Sequence, residues 1–270
     1  MADPGSMTER IVDDPRIAES SGLVRDTRRP GTWWTHNDSG DVARLFQIGP
    51  DDAARAFPLS DASAIDWEDA TTVRLDDGSP GIAVVDTGNN QRRRDAVAIH
   101  LIRPGDDRVT LEGTVRFRFD DGPHDCEAVA SHRDGRSILL FTKSWTGGCG
   151  VYELNLPDPA EGSVTTANRL GWIAFPLATA ADHHPRHGWL LTNYRFAAIY
   201  TPRPNDRDVM DTLRRQPRLV RLPPLAQIEA AAWNDDGTFT VTSEGSPMPM
   251  VRVEPDGPVT ATPTEPPSND

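Results

Sequence analysis

The sequence predicts an all-β fold, a β-propeller of four-stranded antiparallel blades around a central channel, with five blades and six as the alternative. Three observations predict it: a repeat with a period near 50 residues, strand-type runs bounded by glycine turns throughout, and a near absence of helical periodicity. The repeat is carried by ESSGLV…GTWWTHNDSG from Glu19, WEDATTVRLDDGSPGIAVVDTGNN from Trp67, CEAVASHRDGRSILLFTKSW from Cys126, TAADHHPRHGWLLTNYRF from Thr179 and EAAAWNDDGTFTVTSEG from Glu229. Each segment opens on a polar residue and small residues, turns at a polar loop, and enters an apolar run that ends in polar groups. The opening polar residues Glu19, Glu68, Glu127, Thr179 and Glu229 are 49, 59, 52 and 50 positions apart, the length of one blade. A β-sandwich requires no such period and no acid recurring at its start.

Within a repeat, a first strand of small residues leads to a turn at Asp77-Gly78, Asp134-Gly135, His187-Gly188 or Asp236-Gly237. The second strands, Ile82 to Val85, Ile138 to Phe141 and Phe239 to Val241, are rich in β-branched and aromatic residues. Outer strands follow as VAIHLI and TVRFRF in the second repeat and as VYELNL and LGWIAFP in the third. The best helical pattern, Asp206 to Arg215, falls in a connection. Residues 7–270 read as one propeller domain, and residues 1–6 as a leader before Met7. A sixth blade would need the N-terminal strand Arg10 to Ile17 and a C-terminal strand Val259 to Pro263 to pair with further chain.

Composition narrows the function. The 270 residues carry 28 basic and 41 acidic side chains, a net charge of −13. That balance opposes nucleic-acid binding, which depends on basic groups displacing counterions. No run approaches the roughly 18 apolar residues of a membrane span, and no secretory signal is visible, so a cytoplasmic location and no membrane partner are expected. Cys126 and Cys149, the two cysteines, are too few for a disulfide framework and read as reduced. The basic residues are 27 arginines and one lysine, Lys143, a bias that a high-GC genome accounts for. A monomer acting on a small-molecule substrate fits this profile.

The motifs ESSGL, WTHNDSGD, DWEDA, VVDTGNNQRR, HDCEA and TSEG resemble a family of bacterial, mostly actinobacterial, β-propellers described as WD-repeat-like or related to esterase-like phytases. The resemblance covers most of the chain and implies the fold far more than the activity. A more distant, architectural resemblance is to the gluconolactonase and regucalcin propellers, which implies a divalent metal in the central channel. An extracellular phytase is disfavoured by the missing signal and by the scarcity of Lys and Arg at the strand ends.

First strands line a propeller channel, so a recurring residue forms a ring about the axis. The expected ring is Glu19, Glu68, Glu127 and Glu229, completed by Thr179. Carboxylates converging there repel one another unless protonated or neutralised by a cation. Oxygen-only donors select a hard divalent metal, calcium first, with magnesium and manganese as alternatives. No zinc motif is present. Asp86 and Asn90, in the Asp86 to Asn90 segment, are further candidate ligands, although such a string also makes an ordinary turn.

The ends of the second strands bring Asn37 and Asp38, Asp86 with Asn89 and Asn90, Lys143, Asn193 and Tyr194, and Ser243 and Glu244 toward one mouth. Of these, Asp38, Asn193, Tyr194 and Glu244 are expected to line a substrate pocket. Asp66 and Asp125 each precede a ring glutamate by two positions and so share its strand face. They are candidate general bases, or caps of the incoming loops. Lys143, at the strand-end position matched by Asp86 and Glu244, reads as a salt-bridge partner or oxyanion clamp. His124 is the best-placed histidine for proton transfer, and His183, His184 and His187 read as a solvated turn. Trp33, Trp34, Trp67 and Trp145 are expected to wall the pocket, and Trp172, Trp189 and Trp233 to pack in the core. No nucleophile elbow, P-loop or dinucleotide fingerprint is present. The leading expectation is a metal-dependent enzyme that hydrolyses a lactone or ester, or cyclises or isomerises a small molecule. The alternative is a non-catalytic binding platform with a structural ion.

Overall fold

The structure, a computed structural model, describes residues 7–145, 147–156 and 163–255. The expected leader 1–6 and strand Val259 to Pro263 lie outside the described residues. After β1 (Met7–Val12), the strands β2 (Ser20–Arg25), β3 (Trp33–Asn37), β4 (Arg44–Ile48) and β5 (Ala54–Pro58) pair in chain order as an antiparallel meander. The next meander is β6 (Trp67–Arg74), β7 (Pro80–Asp86), β8 (Val97–Pro104) and β9 (Val109–Phe119), followed by β10 (Cys126–His132), β11 (Ser137–Thr142), β12 (Cys149–Asn155) and β13 (Val164–Ile173). Then come β14 (Ala180–His184), β15 (Gly188–Thr192) and β16 (Phe196–Tyr200), the short helix α1 (Val209–Leu213), and β17 (Arg218–Arg221). The chain closes with β18 (Ile228–Trp233), β19 (Phe239–Ser243) and β20 (Met248–Val253).

The described residues form four sheets: three of four strands and one of eight. The eight-stranded sheet is a departure from separate blades. Its two meanders join edge to edge, because β9 and β13 are long and pair in parallel from Val164↔Arg116 to Ala167↔Phe119. That pairing satisfies backbone groups that an outer strand otherwise leaves to solvent. The N-terminal strand β1 forms no sheet of its own and pairs with β20, from Met7↔Val253 to Val12↔Met248, as the outer strand of the β18–β20 sheet. The first and last described strands are thereby tied into one sheet.

The first strands close a ring: β2 packs on β6, β6 on β10, β10 on β14, β14 on β18, and β18 on β2. Small residues make the approach possible. At Gly22, whose φ is +72°, a Cβ would come within 2.4 Å of His36 Nε2 and 2.8 Å of Ala70 N, so only glycine fits there. Among the described residues, five apolar clusters fill the spaces between successive meanders around the ring. Their burial supplies the main driving force, at about 25 cal/mol per Å² of apolar surface.

The expected turns hold, with positive φ at Gly78, Gly135, Gly188 and Gly237. The helical pattern shortens to α1, capped by Asp208, which accepts from Asp211 N. Both cysteines are free and buried. Three tryptophans expected at the pocket, Trp33, Trp34 and Trp67, are instead buried between sheets, whereas Trp172, expected in the core, is 47% exposed. The first three share a cause: β3 and the start of β6 are buried on both faces, where alternation no longer marks an outward side, whereas Trp172 is on the largely exposed outer strand β13. No helix among the described residues is long and apolar enough to cross a membrane.

Candidate functional site

Three ring glutamates owe their placement to β-bulges. The register skips one residue between Trp67 and Asp69, between Cys126 and Ala128, and between Ile228 and Ala230, leaving Glu68, Glu127 and Glu229 as the extra residues. A bulge frees a residue from the ladder and re-aims its side chain. In β2 the bulge falls at Gly22, and β14 runs in unbroken register. Pairing of Ser20 with Asn37 and of Ala180 with Thr192 sets Glu19 and Thr179 one residue earlier, level with Asp66, Asp125 and Gln227. The expected ring is corrected accordingly: Glu19 is exposed at the mouth, and Thr179 is spent on Thr192 O, to which its N–H donates at 2.9 Å. By register Ser21 and Ala181 are level with Asp69, Ala128 and Ala230, so β2 has Gly22 as its inserted residue and β14 has no counterpart of the inserted glutamates. Counting from the first polar residue of each repeat missed the inserted residue.

Two overlapping sets of carboxylates meet at Glu68. Asp38, Asp66 and Glu68 offer oxygens all within 4.8 Å of one another, and so do Glu68, Asp125 and Glu127. Glu68 is buried and its carboxylate has no hydrogen-bond or ion-pair partner among the described residues. Gly88 closes the site from the side: a Cβ there would lie 2.1 Å from Glu68 Oε1 and 2.3 Å from Asp66 Oδ2. The Gly88 N–H donates to Asp66 O at 3.2 Å, and the Asn89 N–H donates to Asp125 Oδ1 at 2.7 Å. The chain between β7 and β8 thus forms a cradle for oxygen donors. Hard oxygen donors, a buried carboxylate with no partner and a wall with no side chain could hold a divalent cation.

On the other flank, Lys143 Nζ donates to Glu127 Oε2 and, at 2.9 Å, to Tyr194 Oη. The carboxylate of Glu127 therefore already has a cation, whereas Asp38, Asp66 and Glu68 form no ion pair among the described residues and only Arg94 opposes the rise at Asp66. Glu229 lies further round, where Gln227 Nε2 donates to its Oε1 at 2.9 Å and to Glu244 Oε1 at 2.7 Å.

Burial is the largest cause of every upward shift in this group. It pushes Glu68 well up, reinforced by Glu127, Asp38 and Asp66. Asp38 rises to about 6 and Glu229 to about 7, and Asp66 and Glu244 rise as well. The Lys143 ammonium opposes the rise at Glu127 and is itself held protonated by that carboxylate. Proton affinity is thus concentrated on Glu68, where no cation counters it.

Other expected residues are held in structural roles. Asp86 is fully buried; its carboxylate accepts from Ile65 N at 3.1 Å, Asp66 N at 3.2 Å and Arg94 at 2.6 Å. Asn37 and Ser243 occupy the matching position and likewise accept from the incoming loop, at Ala18 N, Glu19 N and Gln227 N. By register Asp86 is level with Thr142, so Lys143 is level with Thr87 and Glu244 rather than with Asp86. Asn90 is exposed. Asn193 folds its own turn, accepting from Arg195 N and Phe196 N. His124 Nε2 lies 2.8 Å from Asp121 Oδ1 and 2.9 Å from Tyr152 Oη, so its ring is engaged outside the carboxylate cluster. His183, expected in a solvated turn, stacks on Trp189 with centroids 4.2 Å apart.

Sequence reasoning missed Asp69, a fully buried acid. Its Oδ2 accepts from Val129 N at 2.8 Å and Ala181 N at 3.2 Å, and its Oδ1 from Ala70 N at 2.8 Å, tying β6, β10 and β14 together. The signal was an acid in a run of small, strand-forming residues, on the face opposite Glu68. Gly88 was likewise missed inside a segment read only for its polar side chains.

No protein-family model matches the chain, and no curated protein matches it by sequence. Among solved structures, a Xanthomonas campestris protein described as a gluconolactonase important in glucose secondary metabolic pathways is similar over 94% of this chain and 96% of its own, at 9% identity and a TM-score of 0.50. A protein described as a glucose dehydrogenase is similar over 92% of this chain and 99% of its own, at 10% identity and a TM-score of 0.51. At these identities the likeness shows the fold: the chain has the propeller-type all-β architecture that gluconolactonase-type proteins share.

Proposed function

We propose that this chain is a single five-bladed propeller that holds a divalent cation, calcium by preference, at its acidic mouth and hydrolyses a small lactone or ester there. The observation that carries the reading is Glu68, buried without a partner between two sets of carboxylates and walled by Gly88. The closed ring of first strands supports five blades, with the two joined by β9 and β13 counted separately. Similarity of fold to a protein described as a gluconolactonase supports the lactone.

Glu68, Asp38 and Asp66 would hold the cation, since Lys143 pairs with Glu127 and that trio forms no ion pair among the described residues. The cation would supply electrophilic polarisation of the substrate carbonyl. Asp125, oriented by the Asn89 N–H, is the proton acceptor for the attacking water. Lys143, fixed between Glu127 and Tyr194, holds its proton at Nζ and offers it to the developing oxyanion. Asp86 and Asn37 keep the loops that carry Asp66 and Glu19 in place. We assign the protein to the small-molecule enzymes of the cytoplasm, acting as a monomer without nucleic acid.

The test is hydrolysis of a panel of sugar and aliphatic lactones by chelator-treated protein, with and without added calcium, magnesium or manganese. The reading expects turnover that returns with one of these metals and falls at least about 100-fold in Asp125→Asn, the scale of general-base loss. Metal binding with no turnover across the panel would overturn the enzymatic part and leave a structural ion.

A further inference from the structure

The end of the channel opposite the carboxylates has different chemistry. Strands β6, β10 and β14 run to it and place Arg74, His132, His183 and His184 there, and β2 adds Arg25. At about 3.3 Å per residue, Arg74 lies roughly 20 Å along β6 from Glu68. Two cavities of about 200 and 410 Å³ open at this end, and both are lined by Thr72, His183 and Pro185. The larger is of the size that takes a small molecule.

Its lining fixes the sign of the ligand. Arg74 donates from Nε to Asp134 O at 3.1 Å and from a terminal nitrogen to Gly78 O at 3.5 Å, and it forms no ion pair among the described residues. Its charge is therefore not neutralised. Arg133 pairs with Glu153 through Nε at 2.9 Å, and its two terminal nitrogens have no partner among the described residues. His132 and His183 flank Trp189, with centroids 5.5 and 4.2 Å from its ring. Burial holds both imidazoles below their ordinary range, so each is neutral and offers one N–H. Of the residues lining the larger cavity only Asp134 is acidic, and it is exposed. Arg133 and Asp134 also have φ of 44° and 60°, a conformation side chains rarely adopt and one that recurs where a backbone is shaped for a ligand.

We propose that this far mouth is a second ligand site that takes a small organic anion, its carboxylate or phosphate group seated between Arg74 and Arg133 and its body directed toward His183. Two guanidinium groups suit either oxyanion, since both groups match the planar donor fork of arginine. The site stands on residues separate from the acidic mouth and holds whether or not that mouth binds a metal.

Inorganic phosphate and succinate, titrated separately into the chelator-treated full chain at constant ionic strength, test it by calorimetry and by the imidazole NMR signals of the histidines. At least one probe should saturate below about 10 mM, at the weak end of specific binding. It should move the His132 and His183 signals and leave those of His36 and His100, which lie elsewhere in the fold. Saturation by phosphate alone would identify a phosphate ester, and by succinate alone a carboxylate; both outcomes support the site. Arg74→Gln/Arg133→Gln should weaken binding at least tenfold, and each single variant at least threefold if the pair fails to fold. Glu68→Gln should bind as the unaltered protein does. Failure of both probes to saturate, unchanged affinity in the arginine variants, or loss of binding in Glu68→Gln would each overturn the proposal.

Discussion

The two mouths of the channel are made by the same strands and have opposite character. At one, Asp38, Asp66, Glu68, Asp125, Glu127, Glu229 and Glu244 gather, with Lys143 paired to Glu127 on one flank. At the other, Arg25, Arg74, Arg133, His132 and His183 line cavities with little acid. The difference follows from chain direction. The first strands run the same way through the ring, so what begins each repeat lies at one mouth and what ends each first strand lies at the other. A gradient along a 50-residue repeat becomes a separation of charge across the molecule. Asp69 and Asp182 lie between the ends, each accepting backbone N–H groups from neighbouring first strands.

The largest expected effect is at that divide. Asp69→Ala strands three backbone donors, at about 1–3 kcal/mol for each unsatisfied group, so urea denaturation should show a loss of roughly 4 kcal/mol. A loss under about 1 kcal/mol would mean that the ring is held without it. At the acidic mouth, Lys143→Met removes the cation that balances Glu127. The chelator-treated variant should lose about 3 kcal/mol, the scale for breaking a buried pair, and should recover more stability with calcium than the unaltered protein does.

The pH dependence sharpens the contrast further. Asp38 and Glu229 rise on folding, from 3.8 to about 6 and from 4.5 to about 7. The folded state therefore binds more protons than the unfolded state between these limits. Their contribution is fully present below pH 4 and is lost as pH rises through about 6 and 7, amounting to roughly 3 kcal/mol for Glu229 alone. Melting temperatures measured with chelator should fall from pH 5 to pH 8, and the stabilisation by calcium should grow over the same range. A flat profile would remove the electrostatic strain from the account. Smallest is Gly88→Ala, whose added methyl presses on Glu68 and Asp66. It should weaken calcium binding about tenfold, or ~1.4 kcal/mol, with little change in metal-free stability.

Much of this arrangement was legible in the repeat. The strand runs, the glycine turns and the mouth at which Glu68, Glu127 and Glu229 lie follow from period and residue type. What escaped was offset by single residues. The bulges at Glu68, Glu127 and Glu229 add one position that β14 lacks and that β2 places at Gly22, so Glu19 and Thr179 look equivalent in sequence and are not in space. Asp86 looked like a ligand because its segment is rich in oxygen, yet its neighbours Ile65, Asp66 and Arg94 already satisfy it. Those partners lie 8 to 21 positions away in the chain, and no local pattern reports them. His183 was read as solvated because its stacking partner, Trp189, belongs to the next strand.

The central claim is a cation held around Glu68, and calcium titration by calorimetry, on chelator-treated protein and on Glu68→Gln, tests it most directly. The account predicts one calcium per chain for the unaltered protein and a loss of at least about 100-fold in affinity, ~2.7 kcal/mol, for a folded Glu68→Gln. No saturable binding by the unaltered protein, or equal affinity and stoichiometry in both, would contradict it.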